Sequence, residues 1–399
     1  MIKPESRPWP IRLYNTIVPT RKLQVDGLLK TAYRHTGLKD LGSDFNDEAL
    51  QVLVRSINDE ARLNAFGTLM IKEKLIGQLE NRLWATHWFK KYPQILDQEV
   101  LPIVLITGVQ RTGTTKMQRL LSGLPGARPL MSWESLYPAP LGREEETSKR
   151  IARTKRNARA VKWISPTFQA IHPIYYDQPE EDVLLLDVHF MSSSAEAIMH
   201  VPTYAQWLSE QDHTQAYRYE GQLLKLLQWQ SDGKYWVLKS PHHLEYLNVF
   251  DQVFPQTKII WTHRSIEECI PSYLSMLYYG RRMFSDEVSL QEIKSHWLSK
   301  LKKMIQAGMT FRESHPESIK DVDFLDFMAD EGQVVSDIER FIGLDPVDSS
   351  LSDELKPGAK YVSQHRYQLA DWQLSEEDIA QQFKDYQQLM ALITNESPG

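Results

Sequence analysis

The clearest pattern of apolar and polar positions lies between residues 101 and 124. An apolar run of strand length at 101–107 is followed by a short polar loop from Gly108 to Thr115. Beyond the loop, apolar residues recur at a helical spacing, at Met117, Leu120, Leu121 and Leu124. Because buried strands are continuously apolar and amphipathic helices are apolar every three to four residues, this stretch predicts a strand, a loop and a helix.

The same succession of strand, polar turn and helix recurs twice towards the C-terminus. Apolar strands are predicted at 235–240 and 258–262, and a weaker strand at 319–324. Such alternation is typical of a parallel sheet covered by helices, with its ligand site at the carboxyl ends of the strands. The sequence therefore predicts an α/β fold, in which a long helical stretch near 288–312 caps the site.

The first hundred residues carry a helical pattern instead. Residues 1–20 contain four prolines and no helical period, which predicts an extended arm. Asp26 and Asp47 are predicted to cap two amphipathic helices, and a third helix is predicted around 69–88. These helices are expected to pack on the main domain or on a partner.

Length and composition allow a division into two units. The chain has 399 residues, of which 42% are hydrophobic and 25% are charged, as in ordinary globular proteins. We predict a helical N-terminal extension, residues 1–98, packed on a main domain of residues 99–399 that ends in a helix near 375–393. The oligomeric state stays open, and a homo-oligomer is allowed.

Charge and cysteine content exclude several classes of protein. The formal net charge of −6 argues against an open nucleic-acid-binding surface. The single cysteine, Cys269, excludes an internal disulfide and a multi-cysteine zinc site, and is typical of a reducing compartment. The N-terminus lacks a secretory signal, and no apolar run approaches the roughly 18 residues of a membrane span. We therefore expect a cytoplasmic protein without a transmembrane segment.

The polar loop has the features of a phosphate-binding site, because backbone N–H groups at a helix N-terminus attract anions. Gly108 and Gly113 reproduce the G-x-x-x-x-G spacing of the nucleotide-triphosphate loop. However, Thr114 and Thr115 stand where that loop carries Lys and Ser/Thr, and a basic residue, Arg111, lies inside the loop. The loop therefore predicts phosphate binding without the lysine that contacts a β/γ-phosphate pair.

A second anion-binding pattern follows the predicted strand at 258–262. Arg264 lies at the end of this strand, and Ser272 lies eight positions later, about two turns into the next helix. Two such groups could hold one phosphate. Because the carboxyl ends of parallel strands meet at one edge of the sheet, this pattern and the loop are expected at the same site.

These motifs resemble those of bacterial-type sulfotransferases that use 3′-phosphoadenosine-5′-phosphosulfate (PAPS). In that family a Lys or Arg precedes a Ser/Thr-Gly-Thr-Thr run, and an Arg and a Ser at the same interval bind the 3′-phosphate. The likeness covers nearly the whole chain, including Trp133-Glu134, Pro179-Glu-Glu181 and Leu238-Lys-Ser-Pro-His-His-Leu244. It implies a P-loop-like three-layer fold, with a central parallel sheet flanked by helices. It also implies sulfuryl transfer from PAPS, with PAP as the product and no metal required.

The resemblance further implies roles for individual residues. Arg111 occupies the position of the family's catalytic Lys/Arg, and Lys239 could reach the sulfonate or the donor phosphate. Arg366 is expected over the 3′-phosphate or the adenine. The predicted donor-binding residues are Gln110, Arg111, Thr112, Gly113, Thr114, Thr115, Lys116, Arg264, Ser272 and Arg366.

The general base is left open between two places in the chain. Glu134 lies where the tyrosyl-protein branch of the family carries a catalytic glutamate. His243, or its neighbour His242, lies near the strand end where the cytosolic small-molecule enzymes carry a histidine. Histidine titrates near neutral pH, whereas glutamate needs desolvation or tight positioning. His172 and the acids at 180–181 are expected to line the acceptor pocket or to cap a helix.

Two other functions are compatible with parts of the pattern. A P-loop kinase of a small molecule shares the strand, loop and helix, but Thr114 replaces its lysine and no Walker-B aspartate is evident. A non-catalytic nucleotide-binding protein could keep the same fold. For the sulfotransferase interpretation the acceptor stays open, as a hydroxyl or amine of a small molecule, a lipid or a carbohydrate.

Overall fold

A five-stranded sheet lies at the centre of the computed structural model, which describes residues 5–142, 144, 146–344 and 368–396. The strands are β1 (Ile103–Thr107), β2 (Ala127–Pro129), β3 (Tyr235–Lys239), β4 (Lys258–His263) and β5 (Ile319–Asp323). They pair in parallel in the order β2-β3-β1-β4-β5. The predicted parallel sheet is confirmed, and β1 is its middle strand.

The register of the sheet brings three strand ends together. Leu105 of β1 lies opposite Leu238 of β3 and Ile259 of β4. Every residue of β1 and β3 is buried, which explains their continuous apolar sequence. Because all three strands run in the same direction, the loops that follow them open at the same edge of the sheet.

Helices make up the N-terminal extension, and further helices connect and follow the strands of the sheet. Those before β1 are α1 (Trp9–Ile17), α2 (Val25–Thr36), α3 (Asp47–Glu60), α4 (Ala65–Lys91) and α5 (Gln94–Asp97). Those between β1 and β3 are α6 (Thr114–Leu121), α7 (Ser132–Leu136), α8 (Thr147–Ile164), α9 (Pro166–Ile171), α10 (Val183–Leu186), α11 (Ser194–Ile198), α12 (Pro202–Ser209) and α13 (Thr214–Gln228). Those that follow β3 are α14 (Leu247–Val253), α15 (Ile266–Arg282), α16 (Leu290–Ser314), α17 (Phe324–Ala329), α18 (Glu331–Ile342), α19 (Glu376–Gln382) and α20 (Lys384–Glu396).

Two apolar clusters cover the two faces of the sheet. Leu105 of β1 belongs to the larger cluster, whereas its neighbours Val104 and Ile106 belong to a smaller one on the opposite face. The larger cluster continues without a break to Leu28 of α2 and Leu79 of α4. The helices of the first hundred residues therefore share a core with the sheet. None of the helices among the described residues is long and apolar enough to cross a membrane.

The start of the chain differs from its prediction as an extended arm. Residues 9–17 form α1, with Pro8 at the N-cap and Pro10 in the first turn. Proline is tolerated there because the first N–H groups of a helix have no intrahelical partner. Four prolines were therefore a poor signal against a helix in this segment.

Two predicted helix boundaries also change. Asn46 caps α3 in place of Asp47, since its Oδ1 accepts a hydrogen bond of 3.0 Å from the Ala49 N–H. The helix predicted at 375–393 is divided at Phe383 into α19 and α20. Both differences are small shifts at helix ends, where sequence signals are weakest.

A close backbone contact joins α4 to the segment after α15. The Asn64 N–H donates to the Phe284 carbonyl oxygen at 3.0 Å, and Asn64 Oδ1 accepts from the Gly67 N–H at 2.8 Å. A Cβ atom on Gly67 would lie 1.9 Å from the Phe284 carbonyl oxygen. Only glycine therefore allows the first turn of α4 to approach this segment so closely.

We predict that Gly67→Ala lowers the free energy of unfolding by about 1–3 kcal/mol, because the methyl group displaces the Phe284 backbone. Gly77→Ala, in the same helix, is the matched control, because a Cβ atom there has no neighbour within 4 Å. Alanine favours a helix over glycine, so the control should raise stability by about 0.5–1 kcal/mol. Thermal unfolding by circular dichroism measures both changes, and equal melting temperatures for the two variants would contradict the contact.

Candidate functional site

The loop between β1 and α6 has an unusual backbone conformation. Gly108, Arg111 and Gly113 all have positive φ, at 143°, 78° and 94°. A side chain on Gly108 would meet the Thr262 carbonyl oxygen at 2.5 Å, so only glycine fits where the loop passes the end of β4. Arg111 adopts its positive φ despite having a side chain, which is backbone strain of the kind found at functional loops.

The helix that follows the loop begins without a side-chain cap. Gly113 is the N-cap of α6 and cannot supply one. The first N–H groups of a helix have no intrahelical partner, and they lie at the positive end of the helix dipole. Thr114 is buried at this helix start, whereas Thr115 is exposed. The geometry therefore suits an anion bound by backbone N–H groups and threonine hydroxyls.

The Arg111 side chain connects the loop to the second anion-binding pattern. Its Nε donates to Ser272 Oγ on α15 at 3.1 Å, and its Nη1 donates to the Ile171 carbonyl oxygen at 3.3 Å. Arg264 Nη1 in turn donates to the Arg111 carbonyl oxygen at 3.4 Å. Arg111, Arg264 and Ser272, which the sequence predicts at one site, are therefore in direct contact.

Thr112 and Gln110, in the same loop, have different surroundings. The Thr112 hydroxyl is buried, donates to the Val109 carbonyl oxygen at 2.8 Å and contacts the Thr262 hydroxyl at 2.7 Å. This contact anchors the loop to the end of β4. Gln110 is partly exposed, and its buried Oε1 has no hydrogen-bond partner among the described residues. An amide oxygen of this kind is available to a ligand that carries a donor.

The remaining predicted donor-binding cations have different surroundings. Lys116 forms an ion pair with Glu331, and its ammonium lies 4.9 Å from the centre of the Phe327 ring. Arg264 donates from Nε to the exposed Glu268 carboxylate at 2.9 Å, and its guanidinium lies 4.4 Å from the centre of the Phe324 ring. Arg366 lies outside the described residues.

Lys239 is buried at the end of β3, next to the loop. Its Nζ donates to Glu181 Oε1 at 2.7 Å, and the Glu181 side chain keeps 25% of its surface exposed. The neighbouring backbone is fixed to β1, since the Thr107 hydroxyl donates to the Ser240 carbonyl oxygen at 3.0 Å. A buried ammonium is therefore paired with a carboxylate that solvent can reach.

His172 completes a group of charged and polar residues at this edge. Burial lowers the pKa of His172, the nearby Glu180 and Glu181 carboxylates oppose that change, and the Lys239 and Arg111 cations add to it. The imidazole is therefore neutral at pH 7. We call Arg111, His172, Glu180, Glu181 and Lys239 the strand-end cluster.

Glu134 is held by a buried ion pair away from solvent. Its Oε2 and Oε1 accept from Arg128 Nη1 and Nη2 at 2.9 and 2.6 Å, and the Met131 N–H donates to Oε2 at 3.0 Å. The Glu134 side chain is only 2% exposed. Both oxygens are therefore occupied, and we interpret Glu134 as a structural carboxylate in place of a proton acceptor.

The two candidate histidines also contact buried partners. His243 Nδ1 lies 2.9 Å from the Tyr217 hydroxyl, and its Nε2 lies 3.0 Å from Asp182 Oδ2. His242 Nδ1 lies 3.0 Å from Ser193 Oγ, and burial, with His243 beside it, holds the pKa of His242 well below its usual value. These partners lie outside the strand-end cluster, so the geometry does not favour either histidine as the base.

Comparison with known proteins identifies the family. The sequence profile described as the sulfotransferase family matches residues 102–349, more than half of the chain. The chain belongs to the sulfotransferase family. No curated protein sequence matches this sulfotransferase. Its match with the family profile covers β1, the loop and Arg264 with Ser272.

Two solved structures resemble this sulfotransferase over most of their length. Sulfotransferase STF1 from Mycobacterium tuberculosis H37Rv is 30% identical, with a TM-score of 0.79, over 91% of this chain and 99% of that one. Sulfotransferase STF9 from Mycobacterium avium is 22% identical, with a TM-score of 0.81, over 92% of this chain and 97% of that one. The likeness to STF9 concerns the fold alone.

The sequence did not reveal the pairing of Lys239 with Glu181, which lies 58 positions before it. Its closest acid along the chain, Glu245, contacts Lys300 Nζ at 3.2 Å. The run Pro179-Glu-Glu181 was a possible signal for this ion pair. It was not recognised as one because acids at the start of a segment are also typical of helix caps. The Met131–Pro179 bridge beside β2 brings this run to the sheet edge.

We predict that Glu134→Gln and Arg128→Met each lower the free energy of unfolding by about 3–5 kcal/mol, because each leaves one buried charge without its partner. Glu331→Gln is the control, since it breaks the half-exposed pair with Lys116 and should cost about 1 kcal/mol or less. Denaturant unfolding measures all three. A Glu134→Gln protein with wild-type stability and no turnover would instead assign Glu134 to catalysis.

Proposed function

We propose that this sulfotransferase moves the sulfuryl group of PAPS to a hydroxyl or amine of an acceptor by in-line displacement. The observation that carries the proposal is the direct contact of Arg111 with Ser272 and Arg264. This contact joins a phosphate-binding loop to a second anion site at the ends of β1 and β4. A nucleotide with separate 5′ and 3′ anionic groups fits such a pair of sites.

The donor would span both anion sites. The 5′-phosphosulfate would lie on the loop, bound by the backbone N–H groups of residues 112–115 and by the hydroxyls of Thr114 and Thr115. The 3′-phosphate would bind Arg264 and Ser272. In doing so it would replace the exposed Glu268 carboxylate on Arg264 and the Arg111 guanidinium on Ser272. Arg111 would then be free to contact the phosphosulfate.

The charge that develops during transfer explains the need for two cations. As the sulfuryl group leaves, negative charge grows on the 5′-phosphate oxygen, as in phosphoryl transfer. Arg111, on the loop, would stabilise this oxygen, and Lys239 would contact the sulfonate oxygens. Cations in a site from which water is largely excluded stabilise such charge more strongly than solvent does.

Glu181 is the group best placed to accept the proton of the acceptor. It is partly exposed, whereas the oxygens of Glu134 contact Arg128 and the Met131 N–H. At rest its carboxylate is paired with Lys239. When the sulfonate attracts Lys239, this pair would open and the carboxylate would be free to accept the proton. The neutral His172 would help to orient the acceptor by a hydrogen bond.

Among other functions, a kinase has less support from the site. ATP hydrolysis on a P-loop uses a lysine that contacts the β/γ-phosphates, and Thr114 stands at that position. The nearest lysine, Lys116, is paired with Glu331. The acceptor would be a small molecule, as family membership implies, and a lipid or a carbohydrate stays an alternative.

We predict that PAP binds this protein in the presence of EDTA, and that Arg264→Ala weakens the binding at least about tenfold, because a charge-assisted contact with a phosphate is lost. Arg340→Ala removes a half-exposed arginine of α18 that pairs with Asp337, and should leave the dissociation constant unchanged. Isothermal titration calorimetry measures all three proteins. Magnesium-dependent binding of ATP with no heat from PAP would contradict the proposed donor.

We also predict that Glu181→Gln reduces sulfuryl transfer about 10²-fold or more while PAP still binds, because the amide cannot accept the acceptor's proton. Transfer from radiolabelled PAPS to a panel of hydroxyl and amine acceptors gives the rate, and calorimetry gives PAP affinity. Asp177→Asn, an exposed acid before the same run, is the matched control. Full activity of Glu181→Gln together with inactive His172→Gln would assign the base to His172.

A further inference from the structure

Three ligand-type side chains meet in the core behind the strand-end cluster. Asp182 precedes α10, Glu220 lies in the middle of α13, and His243 lies in the 3₁₀ turn Pro241–Glu245 after β3. All three are fully buried. One nitrogen of the histidine and one oxygen of each carboxylate all lie within 4.8 Å of one another. We call these residues the buried triad.

The buried triad lacks the hydrogen bonds that buried polar groups normally make. Both oxygens of Asp182, both oxygens of Glu220 and Nε2 of His243 have no hydrogen-bond partner among the described residues. The 3.0 Å approach of His243 Nε2 to Asp182 Oδ2 is an ion contact without hydrogen-bond alignment. The atoms therefore lie close to one another without forming hydrogen bonds.

Asp182 and Glu220 place two carboxyl groups next to each other in the core, and each residue is 0% exposed. Two carboxylates buried side by side are costly unless a positive charge lies between them. A divalent cation would neutralise both at once.

The Tyr217 hydroxyl contacts the ring nitrogen of His243 that faces away from the two carboxylates. The hydroxyl lies 2.9 Å from His243 Nδ1. When Nδ1 carries the proton and donates it to this hydroxyl, the lone pair of Nε2 points towards Asp182 and Glu220. Histidine ligands of metals are regularly fixed in this way by a hydrogen bond to the other ring nitrogen. This contact is independent of the two carboxylates.

We propose that Asp182, Glu220 and His243 bind one divalent transition-metal ion of the Zn²⁺ or Mn²⁺ class. An imidazole with two carboxylates is a ligand set for these ions, whereas Mg²⁺ and Ca²⁺ prefer oxygen ligands alone. A carboxylate that binds through both oxygens would complete four-fold coordination. The expectation that no metal is required came from the family resemblance, and residue spacing gave no signal for this site because the three residues are spread over 182–243.

The metal would be structural, and the proposal does not depend on the identity of the sulfuryl donor. Asp182 follows Glu181 directly, and His243 lies four residues after Lys239. A metal bound by the triad would therefore fix the two chain segments that carry the Lys239–Glu181 pair. It would also attach both segments to α13 through Glu220.

The test is metal content and thermal stability of the untagged full-length chain. The protein is incubated with ZnCl₂ or MnCl₂, desalted and analysed by inductively coupled plasma mass spectrometry. We expect about one equivalent of one of the two metals per chain, and a higher melting temperature than after treatment with a chelator. Glu220→Gln and His243→Gln should lose the metal and the response to chelator. Glu80→Gln, a buried acid paired with His35 and Arg153, should keep both.

The wild-type measurement decides the proposal even if the triad variants fail to fold. If only trace metal is bound after both incubations, and the chelator does not change the melting temperature, the proposal is overturned. The three side chains would then interact with one another through shared protons. Folded Glu220→Gln and His243→Gln proteins that retain the same equivalent of metal would also overturn it, because the ion would then be bound elsewhere.

Discussion

Parallel pairing of β1 between β3 and β4 is the constraint on which the site depends. It brings the end of each strand to one edge of the sheet, so the loop after β1, Lys239 at the end of β3 and Arg264 after β4 become neighbours. The loop itself is held against β4 by the contact of the Thr112 and Thr262 hydroxyls. A shift of one strand by one residue would therefore separate the predicted anion-binding groups from one another.

The two ion pairs near the site of this sulfotransferase differ in solvent exposure, and this difference underlies the structural and catalytic roles that we propose for them. The pair of Glu134 with Arg128 is buried on both sides, so neither charge can be released without a large cost. The pair of Lys239 with Glu181 is buried only on the lysine side. In the reaction we propose, a ligand that attracts Lys239 would release the Glu181 carboxylate, which is 25% exposed. The same reasoning explains why the fully buried His243 suits a structural role better than a catalytic one.

Local patterns in the sequence were sufficient to predict a parallel sheet with the strands β1, β3, β4 and β5, the loop and the Arg264–Ser272 pattern. Continuous apolar runs identify buried parallel strands, and their polar ends share an edge in any such sheet. The partners of single side chains could not be predicted in this way. Lys239 meets Glu181 although the two are 58 positions apart, and His243 meets Tyr217 only because α13 packs next to the turn after β3. Such contacts depend on tertiary packing, which residue spacing does not encode.

Transfer of the label from [³⁵S]PAPS tests the central claim most directly, with wild type and Arg111→Ala compared at equal occupancy by PAPS. The account predicts labelled acceptor from the wild-type protein and about 10²-fold or lower turnover from Arg111→Ala, because the charge on the leaving phosphate loses its cation. PAP binding by calorimetry should persist in the variant through Arg264 and the loop backbone. An Arg111→Ala protein that transfers sulfate at the wild-type rate would contradict the account.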